Sequence, residues 1–182
     1  DAYFGGVFYI GPIFTAFRGT VEATEYYSLL RQEVQARIDA GKGPITPEGD
    51  FGEERFRIVV EGTPNWTSFR DFWKMFYDEG AVVVASTYTK VGGVYDYGFR
   101  HDPDNPLETL ADYCLGCYTN LSLPARIKMI CDYMETYEAD GLLINSVKSC
   151  NSFSAGHFSP ANVKNRLESY FQMLSQKRSR AA

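Results

Sequence analysis

The 182-residue chain contains no apolar run long enough to cross a bilayer, so no membrane-spanning helix is expected. It has no G-x-x-x-x-G-K-[ST] segment and no G-x-G-x-x-G at a strand end, which removes a nucleotide phosphate loop and an ordinary dinucleotide site. Histidine is limited to His101 and His157, neither near a serine-nucleophile signature or an H-E-x-x-H run, and hydrolase readings lose their support. Cysteine is also sparse. Cys114, Cys117, Cys131 and Cys150 follow C-x2-C-x13-C-x18-C, unlike a dense extracellular disulfide framework or a two-knuckle zinc site. A reducing compartment, the cytoplasm, is the expected location. Basic charge is in deficit, 18 Lys and Arg against 23 Asp and Glu, and it is dispersed until the tail "QKRSRAA". That excludes a nucleic-acid groove, and the tail reads as a frayed, solvated helix end. The chain begins at Asp1 rather than Met, so no signal or transit peptide can be read and a preceding segment is expected.

What the chain does have is aromatic surface: 13 Tyr, 13 Phe and 2 Trp. Such residues suit an aromatic ligand or a subunit interface as well as a core. The opening twenty residues read as irregular core-facing loop, with a short strand at Val7 to Ile10. From Thr20 as N-cap, Ala23, Tyr26, Tyr27, Leu30, Val34 and Ile38 recur at helical spacing up to a stop at Gly41. The Gly/Pro-rich "GKGPITPEGDFGEE" then marks a boundary, leaving 1–50 as a helical linker segment and 51–182 as one α/β domain.

Strand and helix alternate from there. "RFRIVVEG" and the wholly apolar "AVVVAST" read as strands on either side of a helix over "TSFRDFWKMFYDEG", and "GLLINS" reads as a third strand. The rhythm predicts an open, mainly parallel sheet covered by helices on both faces. "LETLADYCLGCYTN" holds a short helix and the Cys114–Cys117 pair. In "LPARIKMICDYMETYEAD", Ile127, Ile130, Cys131, Met134 and Tyr137 form one stripe, which assigns Cys131 to the core. Ser159 and Pro160 start the last helix.

Open parallel sheets bind ligands outside the carboxyl ends of their strands. Three such ends bring forward Asn65 and Trp66 after the first strand, Tyr88 and Lys90 after the second, and Lys148, Ser149 and Cys150 after the third. The polar loop around Cys150 offers backbone N–H groups, and Lys148 stands near, which suits a thiolate; an inert half-buried cysteine fits the residues equally. Cys114 and Cys117 reach one metal or cluster at this spacing, or pack as ordinary cysteines under a flap. Trp66, Phe69 and Tyr88 are candidates for an aromatic lining, and Lys148, Lys90 or Arg100 for contact with phosphates.

Three stretches, "RFRIVVEGTPNWTSFRDFWKMFYDEGAVVVASTYTKVGG", "DNPLETLADYCLGCYTN" and "ARIKMICDYMETYEADGLLINSVKSCNSFSAG", together resemble the 2-hydroxyacyl-CoA dehydratase and benzoyl-CoA reductase family, and most closely its ATP-dependent (class I) reductase branch. The resemblance implies a flavodoxin-like α/β domain in a subunit of an oxygen-sensitive enzyme. That enzyme reduces the ring of benzoyl-CoA to a cyclic dienoyl-CoA in anaerobic aromatic degradation. It also implies a [4Fe-4S] cluster, with Cys150 in the position of a ligand and the others from a domain absent here. Cys117 and Cys114 follow as weaker ligand candidates, and Asn65, Trp66, Tyr88, Lys148 and Ser149 as substrate-side residues.

The implied partners are a homologous cluster-carrying subunit, ATP-hydrolysing subunits that alone hold ATP and Mg, ferredoxin as donor, and the aryl-CoA. No nucleic acid or membrane is among them. The alternatives are a 2-hydroxyacyl-CoA dehydratase subunit and a non-catalytic scaffolding subunit. Family members carry a further strand-helix unit between "SCNSFSAG" and "FSPANVKNRLESYFQM". Here Gly156 runs directly into His157, so an internal deletion near 156–157 and a sheet short by one strand are expected.

Overall fold

The computed structural model describes residues 16–17, 19–43, 52–63, 69–88, 98–145 and 160–181, the side chains of the last helix from 167 to 180. Val7 to Ile10 and the Gly156–His157 link lie outside them. Among the described residues there are five α-helices and three strands, in the order α1 Val21–Asp39, β1 Phe56–Gly62, α2 Phe69–Asp78, β2 Ala81–Ser86, α3 Pro106–Gly116, α4 Leu123–Thr136, β3 Gly141–Asn145 and α5 Pro160–Ala181. A 3-10 turn at Tyr118–Asn120 joins α3 to α4. The three strands form one parallel sheet in the order β2-β1-β3. The expected α/β class and the three strands expected after the linker are therefore present, with β1 in the centre, paired to β2 on one side and to β3 on the other.

Side chains alternate along β1 and build two cores. Phe56, Ile58 and Val60 face α2 and α5, where Phe69, Phe72, Trp73, Phe76, Leu167, Phe171 and Leu174 close the layer. Its rings meet mostly edge to face or tilted, Phe56–Phe171 at 5.3 Å and Phe76–Phe171 at 5.7 Å between centroids. Val59 faces the other way, onto Tyr118 and onto Met129 and Tyr133 of α4. Phe69, a lining candidate from the sequence, is buried in the first core instead.

Local signals work as the sequence implies. Thr20 caps α1 by accepting the Ala23 N–H, and Gly41 takes φ +62° just beyond its end. Two expectations need correction. The α4 stripe is rotated: Met129 and Tyr133 are buried while Ile127 and Cys131 are exposed, so Cys131 is not a core residue. Met129 and Tyr133 pack with Val59, Ala85 and Tyr118, and of the expected stripe Met134 and Tyr137 lie partly buried against the same cluster. The tail, read as frayed, is helical to Ala181, and Arg178 grips Asp140 through two bonds of 3.0 and 3.1 Å and also donates to the Arg55 carbonyl. Asp140 accepts the Arg57 N–H at 2.8 Å as well, so the last helix is tied to the starts of β1 and β3.

Candidate functional site at the carboxyl edge of the sheet

The three strands end side by side at Gly62, Ser86 and Asn145. Gly62 has φ +99°, and a Cβ there would sit 2.1 Å from the Asn145 carbonyl oxygen, so only glycine lets β1 and β3 meet at this edge. Its N–H donates to the Thr87 hydroxyl at 3.2 Å, and the Thr87 N–H donates to the Val60 carbonyl at 3.1 Å. Ser86 accepts from the Tyr88 N–H at 3.1 Å. The Asn145 amide donates to the Thr63 carbonyl. Ser86 and Thr87 are buried polar residues whose hydroxyls are spent on shaping the strand ends.

An acidic side chain among the described residues stands at this edge. Glu61 shares its β1 face with Val59 and accepts a 2.9 Å hydrogen bond from the Tyr118 phenol. Tyr118 is buried, with the Arg126 guanidinium over its ring at 5.3 Å. Burial first, then the hydrogen bond and charge of Glu61, hold this phenol well above the ordinary tyrosine range, against smaller opposing effects of Arg126 and the Thr87 hydroxyl. The result is a neutral phenol donor and its acceptor carboxylate, fixed beside the strand ends.

Tyr118 directly follows the cysteine pair. Cys117 caps α3 and is half-buried, its thiol lying 3.4 Å from the Tyr113 carbonyl, which it can reach as donor. Cys114 is exposed, and its carbonyl accepts from the Asn120 amide at 2.6 Å. The Tyr118–Glu61 bond therefore docks the C-x2-C end of α3 onto the carboxyl edge. Among the described residues, no three His, Cys, Asp or Glu side chains converge as a ligand set.

Of the sequence candidates, Tyr88 lies where expected, just past β2, half-buried against the first core. Arg100 is exposed beside the Phe99–His101–Tyr113 ring cluster. Asn65, Trp66, Lys90, Lys148, Ser149 and Cys150 lie outside the described residues. Glu61 and Tyr118 were missed. The available signals were a carboxylate closing the apolar run "RIVVEG" and an aromatic residue immediately after the cysteine pair.

Residues 4–174 match the family described as 2-hydroxyglutaryl-CoA dehydratase, D-component. A benzoyl-CoA reductase subunit of Thauera aromatica is 66% identical to the chain over 209 residues, an alignment that takes in all of this chain and 48% of that protein. The (R)-2-hydroxyisocaproyl-CoA dehydratase alpha subunit of Clostridioides difficile is 26% identical over 137 residues, 75% of this chain and 31% of that one. The (R)-phenyllactyl-CoA dehydratase alpha subunit of Clostridium sporogenes is 26% identical over the same length. The chain thus spans about half the length of the first relative, 48%, and less of the others.

Proposed function

The chain belongs to the 2-hydroxyglutaryl-CoA dehydratase D-component family, and from that premise we propose that it is part of a benzoyl-CoA reductase subunit rather than of a dehydratase. The carrying observation is the contrast in identity, 66% to the reductase subunit against 26% to each dehydratase subunit. In the proposed reaction the ring of an aryl-CoA thioester accepts two electrons and two protons and leaves as a cyclic dienoyl-CoA. The enzyme is oxygen-sensitive, works in anaerobic aromatic degradation, and resides in the cytoplasm.

In this reading Cys150 ligates a [4Fe-4S] cluster completed by thiolates from outside the chain, with Cys117 and Cys114 near it. Thiolates are the ligand type such clusters take, and solvent exclusion and hydrogen bonds tune their potential. Asn65, Trp66, Tyr88, Lys148 and Ser149 stand on the substrate side, because they follow the three strand ends where parallel sheets bind ligands. A homologous cluster-carrying subunit completes the site. ATP-hydrolysing subunits, holding ATP and Mg, deliver electrons that come from ferredoxin. The alignment with the benzoyl-CoA reductase relative is 209 positions long against 182 residues here, which supports residues missing from within this chain; placing them near Gly156 and His157, as a strand-helix unit, rests on the family resemblance of the sequence alone.

A dehydratase subunit is the second reading, supported by the family match itself. The full-length subunit, co-purified with its partners without oxygen, separates the two by product: a cyclic dienoyl-CoA from benzoyl-CoA, or an enoyl-CoA from a 2-hydroxyacyl-CoA. Cys150→Ala is expected to remove the iron-sulfur absorption and the matching electron paramagnetic resonance signal. Retention of both in the variant would leave this chain a scaffold rather than a cluster ligand.

A further inference from the structure

Glu61 accepts the Tyr118 phenol through Oε1 at 2.9 Å, and among the described residues nothing bonds to its Oε2. Its register partner on β3 is Ile144, which follows Leu142 on the face shared with Val59 and is 60% exposed. The carboxyl edge of the sheet therefore sets a part-buried carboxylate acceptor beside an uncovered apolar side chain. We propose that this pair binds the pantetheine arm of an acyl-CoA, with Glu61 accepting from an amide N–H or the hydroxyl of the arm and Ile144 packing on its methylene and methyl groups.

The carboxylate is fixed before any ligand arrives. The Gly62 N–H donates to the Thr87 hydroxyl at 3.2 Å, that hydroxyl meets the Tyr118 phenol, and the phenol donates to Glu61. Arg126 lies over the Tyr118 ring but spends its guanidinium on the Leu121 carbonyl at 3.0 Å and on the Thr119 carbonyl, so it holds the ring rather than pairing with Glu61. A chain of bonds that starts at a backbone donor and ends on a carboxylate is polarised toward that end, and what it offers a ligand is an acceptor.

Chemistry selects the arm over the other parts of the thioester. An aryl ring has no N–H or O–H to donate, and the nucleotide end carries phosphates that a carboxylate repels. The arm is uncharged and offers amide N–H groups and a hydroxyl, separated by apolar carbons that suit Ile144. The inference rests on the acyl-CoA reading of this edge, which the reductase and dehydratase readings share, and it holds for either.

The test titrates the full-length subunit, co-purified with its partners without oxygen, with benzoyl-CoA and with free CoA, which keeps the arm and lacks the ring. Glu61→Gln keeps an acceptor oxygen for Tyr118 and turns the other position into an N–H donor. It is expected to weaken both ligands by the same factor, at least about tenfold. In turnover the loss should appear as a raised KM for benzoyl-CoA rather than a lower kcat, because a contact made equally before and during the reaction is uniform binding. Ile144→Ser, at an exposed position, should weaken both ligands severalfold and decides the matter if Glu61→Gln does not fold. A loss confined to benzoyl-CoA would put Glu61 at the ring, and unchanged affinity in the folded variants would leave the arm without this contact; either result overturns the proposal. Wild-type enzyme that binds both ligands but forms no cyclic dienoyl-CoA overturns the reductase reading alone.

Discussion

The phenol of Tyr118 donates to the carboxylate of Glu61 at 2.9 Å across 57 residues of sequence, joining the residue after the cysteine pair to the end of the central strand. Tyr118→Phe keeps the ring in its core and removes the phenol's bond to Glu61 together with its contact with the Thr87 hydroxyl, leaving a part-buried carboxylate without this donor. The expected loss is about 1–3 kcal/mol, read as a lower denaturant midpoint with an unchanged slope. Because Cys117 is the neighbouring residue, its alkylation by a thiol reagent should also speed up. An unchanged alkylation rate would mean that the bond does not position the pair.

Burial raises the phenols of Tyr27, Tyr77, Tyr118 and Tyr170, and the last two are raised most. Tyr118 is raised as described, and Tyr170, raised first by burial and then by the charge of Asp140, is pushed up to about 12. A folded pKa above the unfolded value means that above about pH 10 the unfolded chain binds fewer protons than the folded one, so stability falls as pH rises. The contribution of Tyr170 is fully present below about pH 10 and is lost through about pH 12. Melting temperatures measured across that window should drop steeply, and Tyr170→Phe should flatten part of the drop.

Gly62→Ala asks the end of β1 to accept a left-handed φ with a Cβ 2.1 Å from the Asn145 carbonyl oxygen. The conformational term alone is about 1–2 kcal/mol, and the backbone collision adds to it. Hydrogen exchange should show lost protection concentrated along the β1–β3 ladder, from Ile58–Gly141 to Gly62–Asn145. Protection lost evenly over all three strands would contradict a local clash.

Thiol accessibility separates the cysteines. Cys114 and Cys131 are exposed and Cys117 is half-buried at a helix end, so brief alkylation of the native chain followed by peptide mass spectrometry should label the first two ahead of Cys117. Labelling of Cys131 only after denaturation would restore the core position that its helical spacing suggested.

Phe171→Ala removes a ring that meets Phe56, Phe76 and Tyr170. The expected cost is about 3–5 kcal/mol, measured by urea unfolding, because three aromatic neighbours cannot all collapse into the space left behind.

Strands and helices were legible because their signals are local. "RIVVEG", "AVVVAS" and "GLLIN" are apolar runs of strand length, and Thr20, Gly41 and Pro160 mark helix ends through backbone chemistry that acts within a few residues. Parallel pairing followed from the alternation of strand and helix. The cysteine pair was visible as a motif, but its place beside the sheet edge was not, since that depends on a contact between Tyr118 and Glu61 far apart in the chain.

By itself, then, the sequence determined the α/β class, the order of elements and the family, all of which rest on periodicity, end signals and shared motifs. Tertiary structure decided which stripe of α4 is buried, that Arg178 anchors the last helix through Asp140, and that Tyr118 meets Glu61 at the end of the central strand. Each of these depends on which surface another element presents. A helix carrying two overlapping apolar stripes buries the one that the sheet meets, and no spacing within the helix records that choice.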